Sequence, residues 1–554
     1  MGSFSLSFLA STLLSCSFAS YTFAATVSTQ LKIVNKEVNL DGFSRLAVLA
    51  GGSFPGPIIN ANKGDRLEVN VTNELTITDG LDVVTTVHWH GIDQLHSNWA
   101  DGVDSVTQCP IIPGNSFLYN FTIPDQAYVY QFIHFERPLT SVTSLSGTFL
   151  YHSHYSNQYC DGLRGALIVR DPEDPQKHLY DVDDDSTVIT LNDWYHYLSK
   201  DASGVPSPNS TLINGVGRYP GGPTNNSLAV VNVKSGTRYR FRLISISCDP
   251  NFMFSIDQHV LTVIEADGNS VRPHNVSSIQ IFAAQRYSFV LNANQPADNY
   301  WIRAIPNSAT NNSTKNGLNS AILNYDGIDV ADPTSKELSS KNPLVETNLH
   351  PLEPSPVPEP DMIVNLNFDL DRTNGKFSVN GKSFKNADPM PVLLQVMSGK
   401  NLNDLMPSGS IYYLPRNKTI EVQMPAFALA GPHPIHLHGH TFWVVESAGN
   451  TTMNTVDPLL RDVVAITSGP DDTRSDVKIR FRTDNPGPWI LHCHIDWHLT
   501  GGFAVVFAEA SSDVSDTVTP PPEWDQLCPA YNSFVENTGH GVPPTESRIK
   551  GLGQ

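Results

Sequence analysis

The chain reads as an all-β protein, and three observations point there. Short runs that alternate apolar and polar residues, among them Ser116-Phe-Leu-Tyr-Asn-Phe-Thr122, Tyr239-Arg-Phe-Arg-Leu-Ile244 and Val477-Lys-Ile-Arg-Phe-Arg482, have the period of half-buried strands. Gly, Pro, Asn and Asp clusters separate these runs as turns. Long amphipathic helical patterns are scarce. Repeated short strands of this kind build Greek-key sandwiches or barrels. With 554 residues, 40% of them hydrophobic and 16% charged, the chain suits roughly two to four ordered domains.

Taken in order, residues 1–24 have an apolar, small-residue body ending in Thr22-Phe-Ala24, the pattern of a secretory signal cleaved after Ala24. Residues 25–174 and 175–341 form two β units. A Pro-rich linker follows over 342–360, ending Pro354-Ser-Pro-Val-Pro-Glu-Pro360. A third β unit spans 361–528, and 529–554 is a C-terminal tail. No later run is apolar enough to span a bilayer, so no membrane partner is expected. A net charge of −20 argues against nucleic acid as a partner. Nine Asn-x-Ser/Thr sequons, at Asn70, Asn120, Asn209, Asn225, Asn275, Asn311, Asn312, Asn417 and Asn450, suit a glycosylated, extracellular chain. Nothing signals an oligomer, so a monomer is the default.

The first and third units carry the chemistry. Random placement of 19 His would give roughly 0.65 His-x-His pairs. The chain has five, at 88/90, 152/154, 436/438, 438/440 and 492/494. The last pair flanks a cysteine, in His492-Cys-His-Ile-Asp-Trp-His498. A thiolate with two imidazoles is the donor set of an electron-transferring copper, whereas imidazole-only sets suit copper that meets dioxygen. On a strand, alternate side chains face opposite ways, so Cys493 serves one site while His492 and His494 reach others. The segment thereby links two kinds of copper site.

Four segments give the chain a specific resemblance. They are His88-Trp-His-Gly through Trp99-Ala-Asp-Gly to Gln108-Cys-Pro; Tyr151-His-Ser-His through Gln158-Tyr-Cys-Asp-Gly; His433-Pro-Ile-His-Leu-His-Gly-His; and Gly487-Pro-Trp through His498. Together they resemble the fungal-type laccases, which are blue multicopper oxidases. The resemblance implies three cupredoxin-like domains and four copper ions. A type 1 copper would take His433, Cys493 and His498. His88 and His436 would hold the type 2 ion. His90, His152 and His494 would hold one type 3 ion, and His154, His438 and His492 the other. His440 would stand behind the ligands as a hydrogen-bonding residue. Of the six cysteines, Cys16 leaves with the signal and Cys493 is a ligand; four remain to pair, and their connectivity is open from sequence. The resemblance selects Cys109 with Cys528 and Cys160 with Cys248.

The implied activity is one-electron oxidation of phenolic and related aromatic substrates near His498, coupled to reduction of dioxygen to water, with a role in lignin or phenolic breakdown. Asp101 matches an acid that supplies protons beside the cluster; otherwise it is a turn residue before Gly102. Asp249, in Cys248-Asp-Pro-Asn, matches a carboxylate lining the phenol pocket, or else opens a turn. Phe503 stands where a weak axial Met ligand sits in lower-potential blue copper proteins, so a high-potential type 1 site is expected. Thr500 replaces a Glu common in high-potential relatives. Two alternatives stand beside this reading: a metallo-oxidase preferring an ion such as ferrous iron, and an inactive copper-binding chain. The first calls for extra carboxylates near His498, where only Asp496 is offered.

One segment departs from the family pattern. In similar proteins Gly147-Thr-Phe follows directly on the residue matching Ala127, whereas here Tyr128–Ser146 intervene. Reverse translation of 127–129 accommodates GTAYGT, a fungal 5′ splice signal; Leu139-Thr140 accommodates CTRAC, and Leu145-Ser146 can end in YAG. The implied intron has 57 bases, a multiple of three, and splicing leaves Ala127 unchanged. The expectation is that 128–146 is translated intron rather than an evolved loop, and that it disturbs His152 and His154.

Overall fold

The computed structural model describes residues 25–77, 80–123, 146–307, 311–354, 356–385, 390–467 and 476–541. The signal segment and almost all of 128–146 therefore lie outside the described residues.

The alternating runs are strands, and they sort into three groups of sheets. In domain one, Ser44–Ala50, Thr26–Asn39, Arg66–Asn73 and Ser116–Thr122 form one four-stranded sheet in that order. Gly56–Asn62, Arg164–Arg170, Gly147–Ser153 and Val87–His90 form the facing one. Both are mixed: Thr26–Asn39 runs parallel to Arg66–Asn73, and Gly56–Asn62 runs parallel to Arg164–Arg170. Domain two pairs a seven-stranded with a five-stranded sheet, spanning strands from Val188–Trp194 to Ser320–Tyr325. Domain three has two five-stranded sheets and a short ribbon, Phe368–Asp371 with Lys376–Val379.

The strand period decides which side chains meet. In domain one, Val87 and Trp89 enter the core with Tyr151 and Phe149, so His88 and His90 point out of the opposite face. In domain three, Ile435, Leu437, Leu491 and Cys493 share a core, so His436, His438 and His492 point the other way. The two outer faces are buried against each other. Ile490, Ala504, Val506 and Ala508 of domain three belong to the apolar cluster of domain one. Each fully buried large apolar side chain there stabilises by about 1.5–3 kcal/mol.

Two expected boundaries look different in three dimensions. The Pro-rich linker is not a free spacer: Leu344 N–H donates to Ser278 (2.8 Å), Leu352 N–H to Ser270 (2.9 Å) and Val357 N–H to Thr455 (3.1 Å). Proline lacks an N–H but does not stop its neighbours from bonding to the domains they cross. The expected cut at 528 falls within the helix Leu527–Thr538. Trp524 and Leu527 pack into the core of domain one, where Cys528 is joined to Cys109. The chain end therefore ties domain three back to domain one.

Candidate metal centres

Local backbone geometry delivers the ligands in register. Cα pairing sets His436 opposite His492 and Ile435 opposite Cys493 in domain three, and His88 opposite His152 in domain one. The tight turn after His438 requires a residue without a side chain. Gly439 has φ +71°, and a Cβ there would lie 2.3 Å from the buried Trp489 ring.

Among the groups that result, four have donor atoms within 4.8 Å of one another and match the expected ligand sets: His433, Cys493 and His498; His88, His90 and His436; His90, His152 and His494; and His154, His438 and His492. Every ligand implied by the resemblance stands in one of them. In the first group, the His433 and His498 Nδ1 atoms lie 3.1 Å apart and each is 3.6 Å from Cys493 Sγ. Cys493 is the free cysteine among the described residues and is buried, so its thiolate is available to the first group.

The ring nitrogens show whether a cation fits. In most of these rings one nitrogen is occupied from outside: His88 Nδ1 meets the Asp101 carbonyl (2.7 Å), His436 Nδ1 the Asp462 carbonyl (2.8 Å), and His492 Nδ1 the Cys493 carbonyl (2.9 Å). The inward nitrogens have no such partner. His88 Nε2, His90 Nδ1, His154 Nε2 and His436 Nε2 are buried without a hydrogen bond, and His438 Nε2 faces His492 Nε2 at 3.1 Å. Burial, helped by the neighbouring imidazoles, holds His90, His152, His154, His436, His438 and His494 far below the ordinary imidazole pKa. Neutral rings with converging lone pairs suit a cation and nothing else on hand. Burial also pushes the Cys493 thiol up, so a metal ion must displace its proton.

Carboxylates surround the histidine cluster. Asp101, fully buried, places Oδ2 2.9 Å from His438 Nδ1 and Oδ1 3.2 Å from His88 Nδ1, bridging ligands of two domains. The residue after it has to be glycine: Gly102 has φ +79°, where a Cβ would strike the Val87 carbonyl at 1.8 Å. Burial raises the Asp101 carboxyl, against the pull of His88. His440 bonds to Glu509 at 2.9 Å; although burial opposes its charge, Glu509 outweighs that and holds it up to about 9. Sequence reasoning missed Asp462. Its carboxylate lies 3.2 Å from His90 Nε2 and takes two 2.6 Å bonds from Arg286 of domain two. Domain two carries no paired histidine, yet through Arg286 it steadies two ligands. No motif marks either residue.

The expected disturbance of His152 and His154 is not found. Their strand is clamped from its first residues by domain two: Thr148 N–H donates to Glu265 (2.8 Å), and Arg286 Nε donates to the Thr148 carbonyl (2.9 Å). Register is thus held downstream of the atypical segment. His154 is half-buried, the most exposed ligand of the cluster.

Around Cys493, Phe503 lies 5.1 Å from the His433 ring and stacks on Phe377, which in turn lies 4.5 Å from His498. Thr500 Oγ1 donates to the Asp496 and Trp497 carbonyls and accepts from Asn157 at 3.3 Å, a tether of its own. Asp249 is half-buried in the turn held by the Cys160–Cys248 disulfide. Burial, and then Asp193, pushes its carboxyl up to about 7. Asp496 is buried, facing Cys160 and Asn157 rather than solvent, and burial pushes it up to about 8.

Comparison with known proteins agrees with this architecture. Multicopper oxidase family models match residues 32–174, 185–328 and 377–513. The chain is 52% identical to Laccase-2 of Pleurotus ostreatus over 531 residues, covering 93% of this chain and 94% of that one. It is 53% identical to Laccase-1 of Fomitopsis schrenkii over 522 residues, covering 92% of each. Among solved structures, the laccase of Botrytis aclada superposes with a TM-score of 0.79 at 30% identity, over 95% of this chain and 94% of that one. Fet3p, a multicopper oxidase that functions in iron import, shares the fold at TM-score 0.74 and 24% identity, over 95% and 97%. The chain belongs to the multicopper oxidase family.

Proposed function

We propose that this chain is a secreted laccase that oxidises small phenols and related aromatics one electron at a time and reduces dioxygen to water. One observation carries the reading: Cys493 and its neighbours His492 and His494 join the thiolate-containing donor set to the all-histidine cluster along a single backbone. His433, Cys493 and His498 would hold the type 1 copper. His88 and His436 would hold type 2, and the sets around His90 and His154 would hold the type 3 pair. Copper supplies the electron transfer and dioxygen chemistry when bound.

The side chains do the rest. Phe377 and Phe503 exclude water from the type 1 edge, while His498, 8% exposed, leaves an edge near the surface for a substrate. Asp249 accepts the proton that a phenol releases on oxidation. Asp101 holds a proton beside His438 for delivery to the cluster. Asp496 is buried and turned inward, so the one carboxylate of the His492–His498 segment is not offered to a metal-ion substrate, and this supports phenols over ferrous iron. The test is steady-state oxidation of a phenol and of ferrous iron by protein with quantified copper. Four copper ions per chain and preferential phenol turnover are expected; preferential iron turnover overturns the reading.

For residues 128–146, translated intron remains our proposal. Transcript sequencing tests it, together with copper content and activity of the chain with and without the segment. The clamp at Thr148 supports equal loading of both forms. A mature transcript keeping these codons, with activity lost on deletion, refutes it.

A further inference from the structure

We propose that Asp193 is a positioning residue for phenol oxidation: its buried carboxylate holds the Cys248–Asp249 turn against the segment carrying His498 and stands as a second carboxylate directly behind Asp249. The proposal rests on the reading of Asp249 as the acceptor of the phenol proton.

Asp193 lies in the strand Val188–Trp194 and is fully buried. Its Oδ1 accepts the Cys248 N–H at 2.7 Å. Its Oδ2 accepts the Asp249 N–H at 3.1 Å and the Tyr195 hydroxyl at 2.6 Å. The two oxygens divide the two backbone donors between them, so in this orientation an asparagine would set its amide N–H against one of them. The turn thus held reaches directly to the metal-bearing loop, because the Cys248 carbonyl accepts the Asp496 N–H at 3.3 Å. Tyr195 extends the support: its ring meets Trp497 edge-on at 5.0 Å, and Trp497 Nε1 donates to the Ser199 carbonyl at 3.2 Å.

The charge of Asp193 is only partly balanced. Arg164 Nη1 stands 3.7 Å away, and its guanidinium donates instead to the carbonyls of Ile246 (2.5 Å) and Asp193 itself (3.3 Å). The titratable groups that interact with Asp249 are Asp193, Tyr195 and Tyr197 from domain two and Cys493 from domain three. Burial raises the Asp249 carboxyl to about 7, and Asp193 is the charge that adds to it. A cation held at Cys493 and His498 pulls the other way, so the fixed anion behind Asp249 offsets a neighbour that would otherwise make it too weak a base. In the step itself the phenol O–H bond breaks and the proton passes to the Asp249 carboxylate; a copper ion held by His433, Cys493 and His498 would supply the one-electron oxidation that leaves a phenoxyl radical.

The experiment measures kcat/KM against pH for a phenol and for a non-phenolic one-electron dye. It uses copper-loaded parent, Asp193→Asn, Tyr195→Phe and Asp249→Asn. Removing the Asp193 charge should move the acid limb of the phenol-to-dye ratio down by about one pH unit. The dye profile should keep its shape. Tyr195→Phe, which strips a donor from Asp193 and leaves its charge less neutralised, should move the limb up by a few tenths of a unit. Asp249→Asn should abolish the limb. Equal losses on both substrates with an unmoved limb in Asp193→Asn overturn the proposal. If that variant does not fold, an unmoved limb in Tyr195→Phe does so. A limb that survives in Asp249→Asn instead overturns the underlying role of Asp249.

Discussion

The site around Cys493 and the histidine cluster use the same ligand chemistry but are assembled at different scales. His433, Cys493 and His498 come from neighbouring strands and a short helix of one domain, and they sit in that domain's own core. The cluster draws its histidines from the outer faces of two domains and is steadied by Arg286 of a third. A site inside one core is held by that core's packing; a site between domains needs separate devices to keep the faces docked. Asp101, which touches both His88 and His438, and the Arg286–Asp462 pair are those devices.

Several substitutions break or sharpen this contrast. The largest effect is expected for Cys493→Ser, which should abolish the blue absorption and phenol turnover while leaving copper in the histidine cluster, as visible spectra and copper analysis would show. Retained blue absorption would refute the assignment. Next is Arg286→Met, which leaves the Asp462 charge buried and unpaired and should cost about 3–5 kcal/mol in denaturant unfolding. It should also deplete copper from the cluster before the Cys493 site. Depletion of both sites in parallel would show that the two are not independently supported.

Asp101→Asn should slow dioxygen reduction by roughly 10–100-fold, while anaerobic reduction of the Cys493 site by phenol keeps its rate. Stopped-flow measurement separates these steps, and equal slowing of both removes Asp101 from proton delivery. A smaller effect is expected for pH. Because Asp249 is held up to about 7 and is needed as the free carboxylate, its contribution is present above that value and lost as pH falls. A nearby cation draws the limb lower. In Asp249→Asn, phenol turnover should fall much more than dye turnover. The smallest effect on fold is expected for Phe503→Met, which should lower the type 1 potential in a redox titration because a thioether stabilises the oxidised ion and a phenyl ring cannot.

The order of these effects follows what was readable in the chain. Every member of the four donor groups stood in a motif, because ligands two apart on a strand share a face and leave a local signature in sequence. Asp462, Arg286 and Asp193 left none. Arg286 meets Asp462 across 176 residues, and Asp193 meets the Cys248–Asp249 turn across 55 and 56. A single buried acid looks the same in sequence whether it caps a turn or holds a ligand. The same limit explains the boundary at 528: no local pattern tells that Trp524 and Leu527 pack on domain one.

The sequence by itself determined the strands, the side of each strand on which a histidine lies, and the pairing of a thiolate site with an imidazole cluster, since backbone period and donor chemistry act over a few residues. Only the tertiary structure decided that the outer faces of domains one and three are buried against each other, that domain two clamps the strand bearing His152, and which carboxylates stand behind the ligands. Those outcomes depend on burying surfaces and charges from residues far apart in the chain, and burial is a property of the whole packed molecule.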